Sequence, residues 1–298
     1  ARTHEERTNM DGIERITGAT KLACLIGSPV AHSASPRMHN ASFARMGVDA
    51  VYLAFDVAPE ELETVAAALV RIKALGYNVT MPHKAAILPL LDEVSDAARL
   101  MGAVNTVKIE PDGRTSGHNT DGAGFMRNLA EHGCEVEGKR VVVLGAGGAG
   151  SALFVQAALD GAACVDVFNS RSPRFAPAEE RAAKTSALSG CPVAVHDLAD
   201  RALLRERCLQ ADVIANATSV GMSPHEDESL LDEGFIPRGA WVADAVYNPR
   251  ETKLLRTAKA LGNPTVPGIG MILWQGAIAE EIWLGRSMDV DYIRNLLF

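Results

Sequence analysis

Apolar residues fall into short runs along this chain, and between the runs lie stretches whose apolar positions recur every three or four residues. The first pattern suits strands and the second suits helices, so their alternation predicts an α/β protein with mainly parallel sheets. KLACLIG (21–27) predicts a strand, 36–46 a helix opened by Pro36, and VYLAFDV (51–57) a second strand. Residues 59–75 begin on proline and acids and stop before Gly76, which predicts one long helix. YNVTM (77–81) reads as a short strand and PHKAAILPLL as the start of another helix. AVNTVKI (103–109) and RTSGHN (114–119), joined by PDG, predict a hairpin.

Beyond a helix over 120–132 the alternation becomes strict. RVVVL runs straight into glycines, and CVDVFN (164–169), PVAVHD (192–197), DVIANAT (212–218) and WVADAVY (241–247) alternate with helical stretches. These are placed at 177–188, up to Leu209, and at 251–261, with two closing helices at 270–284 and 289–297. The change of rhythm places a boundary near 119–139. It predicts a first α/β domain over 1–119, a second over 120–270, and carboxyl-terminal helices (271–298) that pack back onto the first. No repeat or low-complexity tract interrupts this order.

Composition narrows the function. The 298 residues are 47% hydrophobic and 22% charged, enough apolar material for a core in each domain. A net charge of −8 argues against nucleic acid or an anionic membrane as partner. No apolar run approaches the ~18 residues of a membrane span. The start, ARTHEERTNMDGIERI, mixes both charge signs and lacks the apolar core of a signal peptide, so its first ~15 residues are expected to be poorly ordered. Five scattered cysteines without a CxxC pair read as reduced thiols in a cytoplasmic enzyme, with Cys24 and Cys164 as small buried hydrophobes, and no zinc spacing occurs.

Gly145-Ala146-Gly147-Gly148-Ala149-Gly150 fits G-x-G-x-x-G between a strand and a long apolar helix. Missing Cβ atoms let backbone approach a pyrophosphate, whose charge then sits at the helix N-terminus, so the second domain is expected to be a Rossmann-type dinucleotide binder. An NAD site carries an acid about 20 residues on. Here Phe168-Asn169-Ser170-Arg171-Ser172-Pro173-Arg174 has none, and Asp166 lies mid-strand. Two arginines suit a 2′-phosphate, so Arg171 and Arg174 favour NADP, with NAD the alternative; solvated surface arginines are the plain reading.

The first domain holds further polar groups at strand ends, where open α/β sheets bind ligands. HSASP (32–36) places Ser33 and Ser35 beside Pro36. Ser35 suits a helix N-cap, which leaves Ser33 for a bound carboxylate. NVTMPHK brings Lys84 to one strand end and HNTDG brings Asp121 to another. A lysine and an aspartate converging on one hydroxyl could exchange its proton during hydride transfer. Composition alone leaves Lys84 equally readable as a surface lysine and Asp121 as a helix N-terminal acid.

HSASP, NVTMPHK, GAVNTV (102–107), HNTDGAG (118–124), GAGGAG, NATSVGM (216–222) and GMILWQGA (270–277), in this order over nearly the whole chain, resemble the shikimate dehydrogenase family. MHNASFARMG and AFDV look closest to its quinate-oxidising branch. The resemblance implies Lys84 and Asp121 as the catalytic dyad and Ser33 and Ser35 on the substrate carboxylate. Asn78, Thr80, Asn105, Thr120, Tyr247 and Gln275 would complete the substrate site. Gly145, Ala146, Gly147, Gly148, Ala149, Asn169, Arg171, Arg174, Thr218 and Gly268 would hold the cofactor. It further implies two domains facing across a cleft, a homodimer, and the interconversion of shikimate and 3-dehydroshikimate in aromatic amino-acid biosynthesis, with quinate and 3-dehydroquinate as a second pair.

Four positions depart from the family pattern. Ser170 and Arg171 break the Asn-Arg-Thr signature of the NADP branch, and Ser172 stands where the quinate branch often has aspartate. Gly150 replaces the usual alanine or serine, a smaller residue that the site should tolerate. Two other readings compete. A non-catalytic dinucleotide sensor would have no need of Lys84 and Asp121, and a related folate or amino-acid dehydrogenase would have no need of the paired serines.

Overall fold

The computed structural model describes residues 16–297, so the expectation for the amino-terminal stretch lies outside the described residues. In chain order the elements begin β1 (Lys21–Gly27), α1 (Ser35–Met46), β2 (Ala50–Asp56), α2 (Leu62–Arg71), β3 (Gly76–Val79), β4 (Glu93–Val94), α3 (Asp96–Met101), β5 (Thr106–Ile109) and β6 (Thr115–His118). They continue with α4 (Thr120–Glu131), β7 (Arg140–Leu144), α5 (Gly148–Leu159), β8 (Cys164–Asn169), α6 (Phe175–Ser189), β9 (Val193–Asp197) and α7 (Arg201–Leu209). The chain closes with β10 (Val213–Asn216), β11 (Trp241–Asp244), α8 (Lys253–Ala260), β12 (Thr265–Val266), α9 (Ile269–Leu284) and α10 (Val290–Leu297). Two compact units result. One takes the described chain up to Ser95, Gly102–His118 and everything from Gly276; the other takes Asp96–Met101 and Asn119–Gln275.

The first unit is built on a six-stranded sheet of order β2-β1-β3-β5-β6-β4. β1 pairs in parallel with β2 and β3, whereas β5 runs antiparallel to β3 and closes the expected hairpin with β6. Flanked on both sides, β1 buries its last five residues, which is why KLACLIG reads as an unbroken apolar run. Ala23, Leu25, Phe43, Tyr52, Ala279 and Trp283 form the core of this unit. Gly76 is needed where it stands, because a Cβ there would strike the Trp283 indole and the Val107 carbonyl.

The second unit is an all-parallel sheet of order β12-β11-β10-β7-β8-β9, read from its other edge the doubly wound order of dinucleotide-binding folds. Its central strand explains the valine run: Val141 and Val143 feed one core cluster, Val142 and Leu144 the other. Each such buried side chain contributes about 1.5–3 kcal/mol, so no polar residue is tolerated inside β7.

Two expectations need correction, and three short elements escaped the sequence. The stretch after Met81 is a set of turns with a single 3₁₀ turn at Leu88–Leu90, not a helix. Pro89 cannot donate a helical hydrogen bond and would clash with the carbonyl four residues back. The helix read over 59–75 is a 3₁₀ turn at Pro59–Glu61 followed by α2, which ends at Arg71. Lys73 takes the left-handed conformation at φ 59° and the Ala74 N–H returns to the Leu69 carbonyl, so the stop comes before Gly76. Short β4, α3 and β12 carry too few residues for a periodic signal.

Candidate active site

In the first unit, the HSASP turn corrects the assignment of the cap. Ser35 and Pro36 are already in the first turn of α1, and the N-cap position falls on Ala34, without a side-chain cap bond. Ser33 makes the local bond instead: its Oγ accepts the Ser35 N–H at 3.2 Å. Both hydroxyls remain half-buried at a helix N-terminus with no acidic residue in its first turn, a setting that suits a carboxylate.

Behind the turn lies a buried polar brace. The Tyr52 hydroxyl donates to Asn78 Oδ1 at 2.6 Å, and Asn78 Nδ2 donates to the Asn105 carbonyl and to Thr106 Oγ1. Burial, and then Cys24 nearby, hold the Tyr52 phenol well above its ordinary range, against a hydrogen bond with Ser35. Asn78 thus has both amide hydrogens and its oxygen engaged within the sheet. It holds Asn105 and Tyr52 in place. Asn105 is buried at the same strand ends, with Oδ1 accepting from Thr106 Oγ1 at 3.0 Å.

Thr80 follows β3, its N–H bonded to the Ile26 carbonyl and its methyl filling the space above Gly27. Lys84 lies four residues on, half-buried, in a turn pinned on both sides. The Val104 N–H donates to the Lys84 carbonyl at 2.8 Å, and the His83 ring bonds the Val57 carbonyl at 2.7 Å. Sequence reasoning missed a fully buried acid of this unit. Glu280 is fully buried and meets His39 Nδ1 at 2.7 Å and the Ser42 hydroxyl at 2.6 Å, joining α9 to α1. A glutamate inside the apolar run GMILWQGAIAEEIW was the signal.

In the second unit, Asn119 caps α4 by accepting the Asp121 N–H at 3.0 Å. Asp121 therefore sits in a fixed first turn, beside buried Thr120. Gly122 and Gly124 let other backbone come close: a Cβ on either would strike Ala152 or Gln275 respectively. Gln275 is held by its own helix through Nε2 to the Ile272 carbonyl. Tyr247 stands 51% exposed on the loop after β11.

The glycine loop has the features a pyrophosphate site requires. Gly145 adopts φ 99°, and a Cβ on Gly150 would land on the Gly145 carbonyl, so α5 starts hard against the loop. Gly147 and Gly148 face open space, and Asn169 Oδ1 accepts the Ala146 N–H at 3.1 Å, tying the loop to the end of β8. Thr218 packs its methyl over Gly145, so the loop after β10 touches the glycine loop, while Gly268 lies against the Ala245–Val246 backbone that follows β11. On these observations the loop fits a dinucleotide pyrophosphate.

Thr218 is fixed by a network that sequence reasoning also missed. Asn216 Oδ1 accepts from the Thr218 hydroxyl at 2.7 Å, and Asn216 Nδ2 donates to Asp244 Oδ1 at 2.9 Å. Asp244 also accepts from Thr252 Oγ1 and from the Val246 N–H. Burial pushes this carboxyl up to about 6 despite those three bonds. An aspartate inside WVADAV was the available sign. Asp166, set aside as too early for a ribose, is engaged by His196 at 2.6 Å. Arg171 contacts Asp197 Oδ2 at 3.1 Å and covers the Phe175 ring at 4.3 Å, while Arg174 sits at the N-cap of α6.

A profile described as the shikimate dehydrogenase substrate binding domain matches residues 25–107, and one described as the shikimate 5′-dehydrogenase C-terminal domain matches 268–298. A shikimate dehydrogenase (NADP(+)) of Listeria monocytogenes serotype 4b is 45% identical over 286 residues, covering 96% of this chain and 98% of the relative. The chain belongs to the shikimate dehydrogenase family. Among solved structures of the family, shikimate 5-dehydrogenase from Listeria monocytogenes, in complex with shikimate and NAD, has a TM-score of 0.93 at 44% identity, covering 95% of this chain and 98% of its own. Quinate dehydrogenase from Corynebacterium glutamicum, in complex with NAD, has a TM-score of 0.83 at 34% identity, covering 93% and 98% respectively. The two-unit α/β fold is therefore that of the family, a substrate-binding domain joined to a Rossmann-type domain.

Proposed function

We propose that this chain interconverts shikimate and 3-dehydroshikimate with NADP, and accepts quinate as a second substrate. The observation that carries the reading is 45% identity to a named shikimate dehydrogenase (NADP(+)) across 96% of this chain. A bound nicotinamide supplies the hydride acceptor for oxidation and the donor for reduction. Lys84 takes the hydroxyl proton as the carbon loses hydride and returns it in the reverse direction, and Asp121 is the second catalytic residue of this reading. Ser33 and Ser35 hold the substrate carboxylate, and Thr80, Asn105, Thr120, Tyr247 and Gln275 bind its hydroxyls and ring. Asn78 acts on the substrate through Asn105 and Tyr52, to which its amide is bonded.

Gly145 to Ala149, Asn169, Thr218 and Gly268 hold the dinucleotide, and Arg171 and Arg174 its 2′-phosphate. The substrate domain is taken as 1–119 with helices 271–298 and the dinucleotide domain as 120–270, although the compact units place Asp96–Met101, Asn119 and residues up to Gln275 with the second. A homodimer is supported by β2, which forms an edge of its sheet with Leu53 and Phe55 partly exposed. A cytoplasmic setting is supported by five free cysteines. Among the described residues no helix is long and apolar enough to cross a membrane.

Initial rates with shikimate and quinate, each with NAD and with NADP, test the reading. The highest kcat/KM is expected for shikimate with NADP. No turnover with any of the four pairs would reject it.

A further inference from the structure

Arg171 is already engaged in a contact that a 2′-phosphate would have to share. Its Nε donates to Asp197 Oδ2 at 3.1 Å, and its guanidinium covers the Phe175 ring at 4.3 Å, with Phe175 buried beneath it. The Arg171 side chain is 70% exposed and that of Asp197 28%, so the carboxylate is the fixed member of the pair. A second bond fixes it further: Asp197 Oδ1 accepts the Ala199 N–H at 2.9 Å, locking the turn after β9. Asp197 stands opposite Asn169 in the β8–β9 register, and the Leu198 N–H donates to the Asn169 carbonyl. Asn169 in turn holds the glycine loop through Ala146. The carboxylate is therefore one strand away from the residue that anchors the phosphate loop.

We propose that Asp197 is a specificity-determining residue for the dinucleotide, setting how strongly this chain prefers NADP over NAD by occupying Arg171 Nε and placing a negative charge beside the 2′-phosphate position. The inference rests on the reading of Arg171 as a 2′-phosphate ligand. Two effects of the carboxylate oppose each other. Its charge repels a phosphate, while its bond to Nε keeps the guanidinium in one place over Phe175 and so lowers the ordering cost of binding. The Phe175 ring already restrains the guanidinium, so repulsion is the larger effect. An acid at this position supplies from β9 the charge that the Asn169–Arg174 stretch lacks after β8. It differs from the usual ribose-binding acid in acting through an arginine.

Asp197→Asn removes the charge and keeps one amide oxygen, which can accept from Arg171 Nε or from the Ala199 N–H but not from both. The probes are 2′,5′-adenosine bisphosphate and 5′-adenosine monophosphate, titrated calorimetrically against the full-length parent, Asp197→Asn and Arg171→Ala chains. Unchanged melting temperature serves as the folding control. The 2′,5′-bisphosphate is expected to bind Asp197→Asn about three- to tenfold more tightly than the parent, with the monophosphate altered less than about twofold, as one like charge removed near a surface phosphate should do. The NADP/NAD ratio of kcat/KM should rise by a similar factor. Unchanged or weaker bisphosphate binding in Asp197→Asn, with Arg171→Ala weakened, overturns the role of Asp197 alone. Unchanged bisphosphate binding in Arg171→Ala overturns the underlying assignment of Arg171.

Discussion

Ser33 and Asp244 show what single side chains contribute. Ser33 makes one local bond of 3.2 Å, a long contact worth at most about 1 kcal/mol to the turn. Ser33→Ala is therefore expected to leave the melting temperature nearly unchanged while raising KM for the acid substrate severalfold. A sharp drop in melting temperature with KM unmoved would make Ser33 a structural residue only. Asp244 contributes through its proton. Its carboxyl moves from 3.8 to about 6 on folding, so the folded chain binds the proton more tightly than the unfolded chain. That contribution to stability is fully present below pH 3.8 and is lost as pH rises through about 6, a difference on the order of 3 kcal/mol. Asp244→Asn should remove the slope, so its stability relative to the parent should climb between these pH values. Parallel profiles for the two chains would contradict the assignment. At this scale the glycine loop was legible because local backbone geometry selects that residue type, whereas the Asn119 cap emerged only from the structure. Asp197 and Glu280 were not legible, because their partners Arg171 and His39 lie 26 and 241 positions away in sequence.

Elements were legible where periodicity ran long. The β7 run and the helices around it fell where apolar spacing placed them, whereas the 59–75 helix was extended past its true end at Arg71 because Gly76 looked like its stop. Position 76 is glycine for a tertiary reason, the Trp283 ring above it, which no local pattern records. The same helix α9 carries Glu280, whose carboxylate joins it to α1 through His39 and Ser42. Glu280→Ala would leave both partners buried and unsatisfied, and a loss of roughly 3–5 kcal/mol is expected in denaturant unfolding. A loss under about 1 kcal/mol would mean the network adds nothing to the docking of α9.

For the molecule as a whole, the order of motifs was enough to place the chain in its family; NVTMPHK, HNTDGAG, GAGGAG and NATSVGM follow strands of the two sheets, while GMILWQGA lies inside α9. The edge position of β2 bears on assembly. Leu53→Asp on its exposed face is expected to shift sedimentation from dimer to monomer, and a parent that sediments as a monomer would contradict the dimer directly. In the proposed function the chemistry rests on Lys84, which sits in a turn pinned by the His83 ring and the Val104 N–H. Lys84→Ala should preserve that turn and remove only the amine. With shikimate and NADP, kcat is expected to fall about 100- to 10,000-fold while the NADP dissociation constant and melting temperature stay close to those of the parent. Turnover within tenfold of the parent would contradict Lys84 as the group that moves the proton.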